Sequence, residues 1–239
     1  MTSYGTFMFG FGMSAYGRET MWDDTAGKCL VHQANDIHHA QLHPGEHLDD
    51  LTQEFLGQIE RRLRPDMVFP GKDSRNSGTP KQARLSLYDL CSDVLVPAAS
   101  VALFGEALLR TSPTLVDDFH SFDEDSWMLT YQYPRLLARK MHQAMERNTN
   151  ALTKYFQLPL EDRPGACYYV KTFEALQREA SMKNRDLAIT IHLFYWVYAS
   201  GCCPTFSIGL KLWRKLKMKL KDAFLTMEWT STNSFDVPC

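Results

Sequence analysis

The sequence predicts a mainly α-helical fold, and three observations carry that prediction. The stretch "HLDDLTQEFLGQIERRLR" repeats apolar residues at intervals of three and four, with acids and arginines between them. No pair of alternating runs flanks a tight turn, so no β-hairpin is expected. From Leu187 to Leu210 the chain is apolar and holds no Asp, Glu, Lys or Arg. Such a run suits a helix buried on every side.

The first forty residues are rich in Gly, Met and aromatics without a sustained helical period, which predicts irregular structure with short helical turns. Pro44-Gly45 then punctuates the start of the amphipathic helix, whose stripe is Leu48, Leu51, Phe55, Leu56, Ile59 and Leu63. Residues 70–84, "PGKDSRNSGTPKQAR", read as an exposed polar loop. A second helix is expected in "LSLYDLCSDVLVPAASVALFGEALL", with a kink or restart at Pro97. "TLVDDFHSFDEDSW" opens another, its acidic run from Asp117 to Asp125 favouring a helix N-terminus through the dipole. "YPRLLARKMHQAMERNTNALTKYFQL" predicts a long helix starting after Tyr133-Pro134, and "GACYYVKTFEALQREASMKNRD" a shorter one.

Composition narrows the function classes. Hydrophobic residues make up 44% and charged residues 23%, as in globular proteins, and a net charge of −2 offers no global attraction to nucleic acid. No nucleic-acid-binding signature is present, so a nucleic-acid partner is not expected. Cys29, Cys91, Cys167, Cys202, Cys203 and Cys239 follow no repeating spacing, which predicts reduced thiols rather than a disulfide framework. The N-terminal stretch lacks the basic start and apolar core of a secretory signal, so a secreted protein is not expected. His38, His39, His43 and His47 invite a metal reading, but Pro44-Gly45 interrupts their helix and no cysteine or carboxylate set completes the shell. Surface histidines are expected instead. Adjacent Cys202-Cys203 cannot make a C-x-x-C site and are read as packing residues.

The apolar run admits two readings. About 20 apolar residues span a bilayer, and the basic stretch "LWRKLKMKLK" after it would suit an anionic membrane surface. Against a span, His192, Ser200, Thr205 and Ser207 interrupt the run, and Gly201, Pro204 and Gly209 weaken its helix.

Three stretches, in order, resemble the haem-thiolate monooxygenases, the cytochrome P-450 family. The likeness is to the branch of prostacyclin synthase and cholesterol 7-alpha-hydroxylase, in its fungal form. "LHPGEHLDDLTQEFLGQIERRL" is similar to that family's C helix. The region from Leu87 to Phe156, with its "LFGE", "F-x-x-FD" and "YP-x-L" pieces, is similar to its E-to-G region. "NRDLAITIHLFYWVYASGCCPTF" is similar to its I helix, which crosses the haem. The likeness runs roughly from Phe7 to Phe206. It implies an incomplete fold covering regions C to I over residues 1–209, followed by a divergent basic tail over 210–239.

The resemblance also implies a groove beside bound oxygen at Ala199, Ser200, Gly201 and Thr205, opened by Pro204. In that position Cys202-Cys203 depart from the family's usual residues. Intact relatives use haem and electrons from an NADPH-dependent reductase to insert oxygen into apolar sterol, lipid or secondary-metabolite substrates. They need an axial cysteine in an "F-x-x-G-x-x-x-C-x-G" loop and an E-x-x-R pair after the I helix. Neither follows Thr205 here. The expectation is therefore a truncated relative, catalytically inactive as it stands, with no haem stably bound and no metal ligand set. A premature stop, altered splicing or a wrong gene model would each produce such an end. Two alternatives stand beside it. One is an active monooxygenase in a biosynthetic pathway, if the true product is longer. The other is a non-catalytic helical protein held at a membrane by Leu187–Leu210 or by peripheral contact of the basic tail. Both the cytoplasm and the surface of the endoplasmic reticulum suit these readings. A final expectation is an apolar patch left bare on the central helix, and poor solubility with it.

Overall fold

A computed structural model describes residues 11–24, 27, 29–63 and 87–199. Ten α-helices lie among them, joined by turns and one 3-10 segment, Leu160–Asp162. Among the described residues the only β-type pairing is an isolated bridge between Phe104 and Ala166. The mainly α expectation holds. The loop predicted at 70–84 lies outside the described residues, as does the tail at 210–239.

Helices α1 (Ala15–Trp22) and α2 (Leu30–Leu42) occupy the stretch expected to be irregular. That expectation is corrected for α2, which runs thirteen residues. Leu30, Ala34 and Gln41 are buried on one side of it, with Ile37 packed between them. The spacing is helical, but alanine and glutamine stand where strong hydrophobes would have announced it. Gln41 is fully buried because its amide joins three helices. Its Nε2 donates to the His47 carbonyl at 2.6 Å, and its Oε1 accepts the Tyr169 N–H at 2.9 Å.

Helix α3 (Glu46–Arg62) is the amphipathic helix read from the sequence. Glu46 and Asp49 sit in its first turn and Arg61 and Arg62 in its last, each complementing the dipole. It packs on α4 (Leu87–Phe104) through a small core of Ile59, Val94 and Ala98. The restart expected at Pro97 occurs elsewhere. The helix is continuous through Pro97 and ends at Gly105, after which α5 (Glu106–Thr111) begins. Gly105 has φ +69°, and a Cβ there would meet the Pro164 carbonyl oxygen at 2.2 Å. Only glycine allows both the backbone angle and that close approach.

Helix α6 (Leu115–Asp125) buries Leu115, Phe119 and Phe122 at helical spacing. Asp117 and Asp118 lie in its favourable first turn. Asp123, Glu124 and Asp125 fall at the wrong end for the dipole, so the acidic run supports only half of this helix. Outside partners offset the rest: the Trp196 indole N–H donates to Asp123 Oδ1 at 2.7 Å, and Lys140 Nζ lies 3.5 Å from Glu124. The short α7 (Trp127–Thr130) leads into turns, and α8 starts at Arg139, five residues beyond Pro134, and runs to Gln157.

Helix α9 (Tyr168–Glu179) carries Glu174, buried together with Arg163. Their two parallel bonds measure 2.8 and 2.7 Å, and Arg178 adds a third at 2.8 Å. The Arg163 guanidinium also lies 4.8 Å from the centre of the Tyr155 ring. A charge this deep is tolerated because every side of it is matched.

All of this surrounds α10 (Asn184–Ala199). Every residue from Asp186 to Tyr195 is buried, sheathed by α4, α8 and α9 and by the aromatic side chains of α6. The bare apolar patch expected on the central helix is therefore not found over these ten residues. The chain's own helices cover it. No helix among the described residues is long and apolar enough to cross a membrane. At its start α10 is tied to α1, because Asp186 accepts from the Ser14 N–H at 2.8 Å and the Ser14 hydroxyl at 2.7 Å.

Candidate functional site

The central helix is where the sequence placed the site, and its described part ends at Ala199, half-buried against the main core. Ser200, Gly201, Pro204 and Thr205 lie outside the described residues, with Cys202 and Cys203 between them. About two turns earlier, α10 carries a polar group that the sequence marks only as an interruption of the apolar run. His192 is fully buried, and its Nδ1 lies 3.1 Å from Thr149 Oγ1 on α8. The Thr149 hydroxyl already donates to the Met145 carbonyl at 2.9 Å. The imidazole therefore donates its Nδ1–H to the threonine oxygen, which leaves Nε2 as a bare acceptor. Nε2 is buried and has no hydrogen-bond partner among the described residues.

The ring is wedged between aromatic neighbours. Phe11 meets it edge-on at 5.1 Å, and Phe122 lies 5.3 Å away. Burial without a compensating charge pushes the His192 pKa down to about 3. At neutral pH this imidazole stays uncharged and has little tendency to take up a proton. A little further on, the Tyr195 hydroxyl shares a 2.7 Å hydrogen bond with Ser100, and burial raises its pKa. The α8–α10 seam is also closed at its surface by a two-bond ion pair between Arg185 and Glu146, at 2.8–2.9 Å.

The other histidines do not converge. His38 turns its ring edge toward Phe194 at 5.6 Å and Tyr169 at 6.1 Å, and burial lowers its pKa to about 4, helped by His39 beside it. His47 stacks flat on Tyr168 at 3.8 Å, while His39 and His43 are exposed. No group of three or more His, Cys, Asp or Glu side chains suited to a metal ion occurs among the described residues.

The thiol inventory decides how these residues suit a thiolate-bound haem. Cys29 and Cys167 are both buried at the N-caps of helices, α2 and α9 respectively. Cys29 Sγ sits 3.3 Å from His32 Nδ1. Burial pushes the Cys167 thiol up to about 11, so it is held here as a neutral thiol. Neither stands in a glycine-rich loop facing α10. A cleft of about 800 Å³ lies elsewhere, between α3 and the segment before α9. Its walls include Asp50, Glu54, Arg61, Glu106 and Lys171, charges of both signs that do not suit an apolar macrocycle. Cys29 and Cys167, buried as helix caps, do not stand as axial ligands to such a group.

No protein-family model matches this chain, and no curated protein is recognisably similar to it in sequence.

Proposed function

We propose that this chain is a helical body similar to the central portion of a haem-thiolate monooxygenase, its regions C to I, and that these 239 residues by themselves do not catalyse oxygen insertion. One observation carries the first half of the reading. The helix that resembles the haem-crossing helix is the buried axis of the fold, enclosed from Asp186 to Tyr195 by helices on either side. The second half rests on donor chemistry. Cys29 and Cys167 are buried helix caps, and no "F-x-x-G-x-x-x-C-x-G" stretch occurs in the sequence. In intact relatives, the thiolate-bound haem activates oxygen with electrons from an NADPH-dependent reductase.

The purified chain, supplied with haemin, reduced and exposed to carbon monoxide, is expected to show no Soret band of thiolate-bound haem. Appearance of that band would overturn the inactive reading. A longer product carrying the missing loop would instead be an active monooxygenase, and translating the downstream genomic frames distinguishes the two.

A further inference from the structure

The cleft over the buried Arg163–Glu174 pair carries an inference that stands apart from the haem reading. It measures about 360 Å³ and lies between the end of α8, the 3-10 turn, α9 and the first residue of α10. Among the described residues, three ionisable side chains line it: Arg163, Glu174 and Arg178. Two positive charges against one negative leave that lining with a net charge of +1. Glu161, Asp162 and Glu179, the nearest acids in sequence, do not line it. Arg185, next to Asn184, is already paired with Glu146.

The excess charge sits on a guanidinium that the fold holds in place. The Arg163 and Glu174 side chains are only 2% and 3% exposed, and Arg163 occupies both carboxylate oxygens. Arg178 is a second cation on the same carboxylate. Its Nε donates to Glu174 Oε1 at 2.8 Å, and its Nη2 lies 2.7 Å from that oxygen. Nη2 also donates to the Phe156 carbonyl at 2.8 Å, and Nη1 donates to Asn184 Oδ1 at 3.2 Å. A guanidinium has five N–H groups, so Nη1 keeps one for a further acceptor. The side chain is 42% exposed and lines the cleft, so the charge is oriented before any ligand arrives. Asn184 opens α10, and the positive end of that helix adds to the attraction for an anion.

The rest of the lining is largely apolar, with Leu158, Pro159 and Leu160, the last 67% exposed. One cation in excess beside an apolar wall defines the ligand. A phosphate dianion would overbalance the single charge and leave the apolar lining unused, whereas a neutral molecule gains little from the guanidinium. We propose that this cleft binds a small apolar monocarboxylate, its carboxylate accepting from Arg178 Nη1 and its apolar group lying against Leu158 and Leu160.

Nuclear magnetic resonance of the isotope-labelled full chain tests this through the Nε–H signals of Arg163 and Arg178. The probes are isovalerate, isoamyl alcohol and inorganic phosphate, each titrated at fixed pH and ionic strength. Isovalerate should shift the Arg178 signal to saturation, and the alcohol and phosphate should not. Asn184→Asp keeps an acceptor for Nη1, and with it the fold, but cancels the excess charge. Isovalerate should bind that variant at least roughly ten-fold more weakly. Arg178→Gln leaves Arg163 on Glu174 and should lose the response at the Arg163 signal, with circular dichroism unchanged. Three results would overturn the inference: no saturable shift in the parent, an equal response to phosphate or to the alcohol, or undiminished affinity in Asn184→Asp.

Discussion

The α8–α10 seam and the Trp127–Leu137 turn invert each other. The seam is the deepest part of the protein, yet it holds an imidazole with one nitrogen unpartnered among the described residues. The turn is among the most exposed, yet it displays leucine, tryptophan and tyrosine. Ordinary cores and ordinary surfaces need no special account. It is the buried polar group and the exposed apolar cluster that point beyond folding. The seam tolerates its histidine because aromatic packing there is dense enough to outweigh one unmade hydrogen bond. The turn keeps its leucines because nothing in the fold requires them to be buried.

If dense packing outweighs the polar defect, the largest loss should follow from thinning the packing. Phe122 is fully buried, with Phe11 at 5.9 Å and Trp196 at 5.6 Å on either side. Phe122→Ala should destabilise the fold by about 3–5 kcal/mol, read from the midpoint of urea unfolding.

An intermediate effect should come from pH. Burial holds the folded His192 pKa at about 3, against the ordinary histidine value of 6.5 when unfolded. Between those values the unfolded chain binds the extra proton, so stability is complete above the unfolded pKa and falls as pH drops. The slope should approach ~1.4 kcal/mol per pH unit for this one fully buried group. His38, lowered to about 4, acts in the same direction but is partly exposed and should contribute less. Urea titrations at neutral and mildly acid pH should show the slope, and His192→Leu should flatten most of it. An unchanged slope in that variant would remove His192 as the acid-sensitive group.

The smallest effect belongs to the turn. Leu136→Ser alone should move stability by no more than ~0.5 kcal/mol in either direction, measured by the thermal midpoint. A larger loss would mean that Leu136 supports the fold.

Much of this fold was legible because its periods are clean. In α3, Leu51, Phe55 and Ile59 repeat at four among charged residues, and in α6, Leu115, Phe119 and Phe122 follow at four and three. Helix α2 escaped notice because its inward face is partly alanine and glutamine. Gln41 is buried for hydrogen bonds that only the folded chain brings together. Pro97 drew attention away from Gly105, whose necessity comes from the Pro164 carbonyl 59 positions further on, a contact no local pattern reveals. The candidate site was legible only in outline. A charge-free run marked the buried helix, but His192 takes its meaning from Thr149, 43 residues earlier. Of the expected groove, the described residues include Ala199 alone.

The amide side chain of Gln41 has a consequence for how this molecule opens. Backbone N–H groups in the first turn of a helix ordinarily lack a partner in that helix and exchange with solvent readily. The Tyr169 amide, at the start of α9, is instead held by a side chain 128 residues away in sequence. Its deuterium uptake therefore records separation of the N-terminal helices from α9, rather than fraying of α9 alone. Slow uptake at Tyr169 would mean that the first and last thirds of the described chain unfold as one unit.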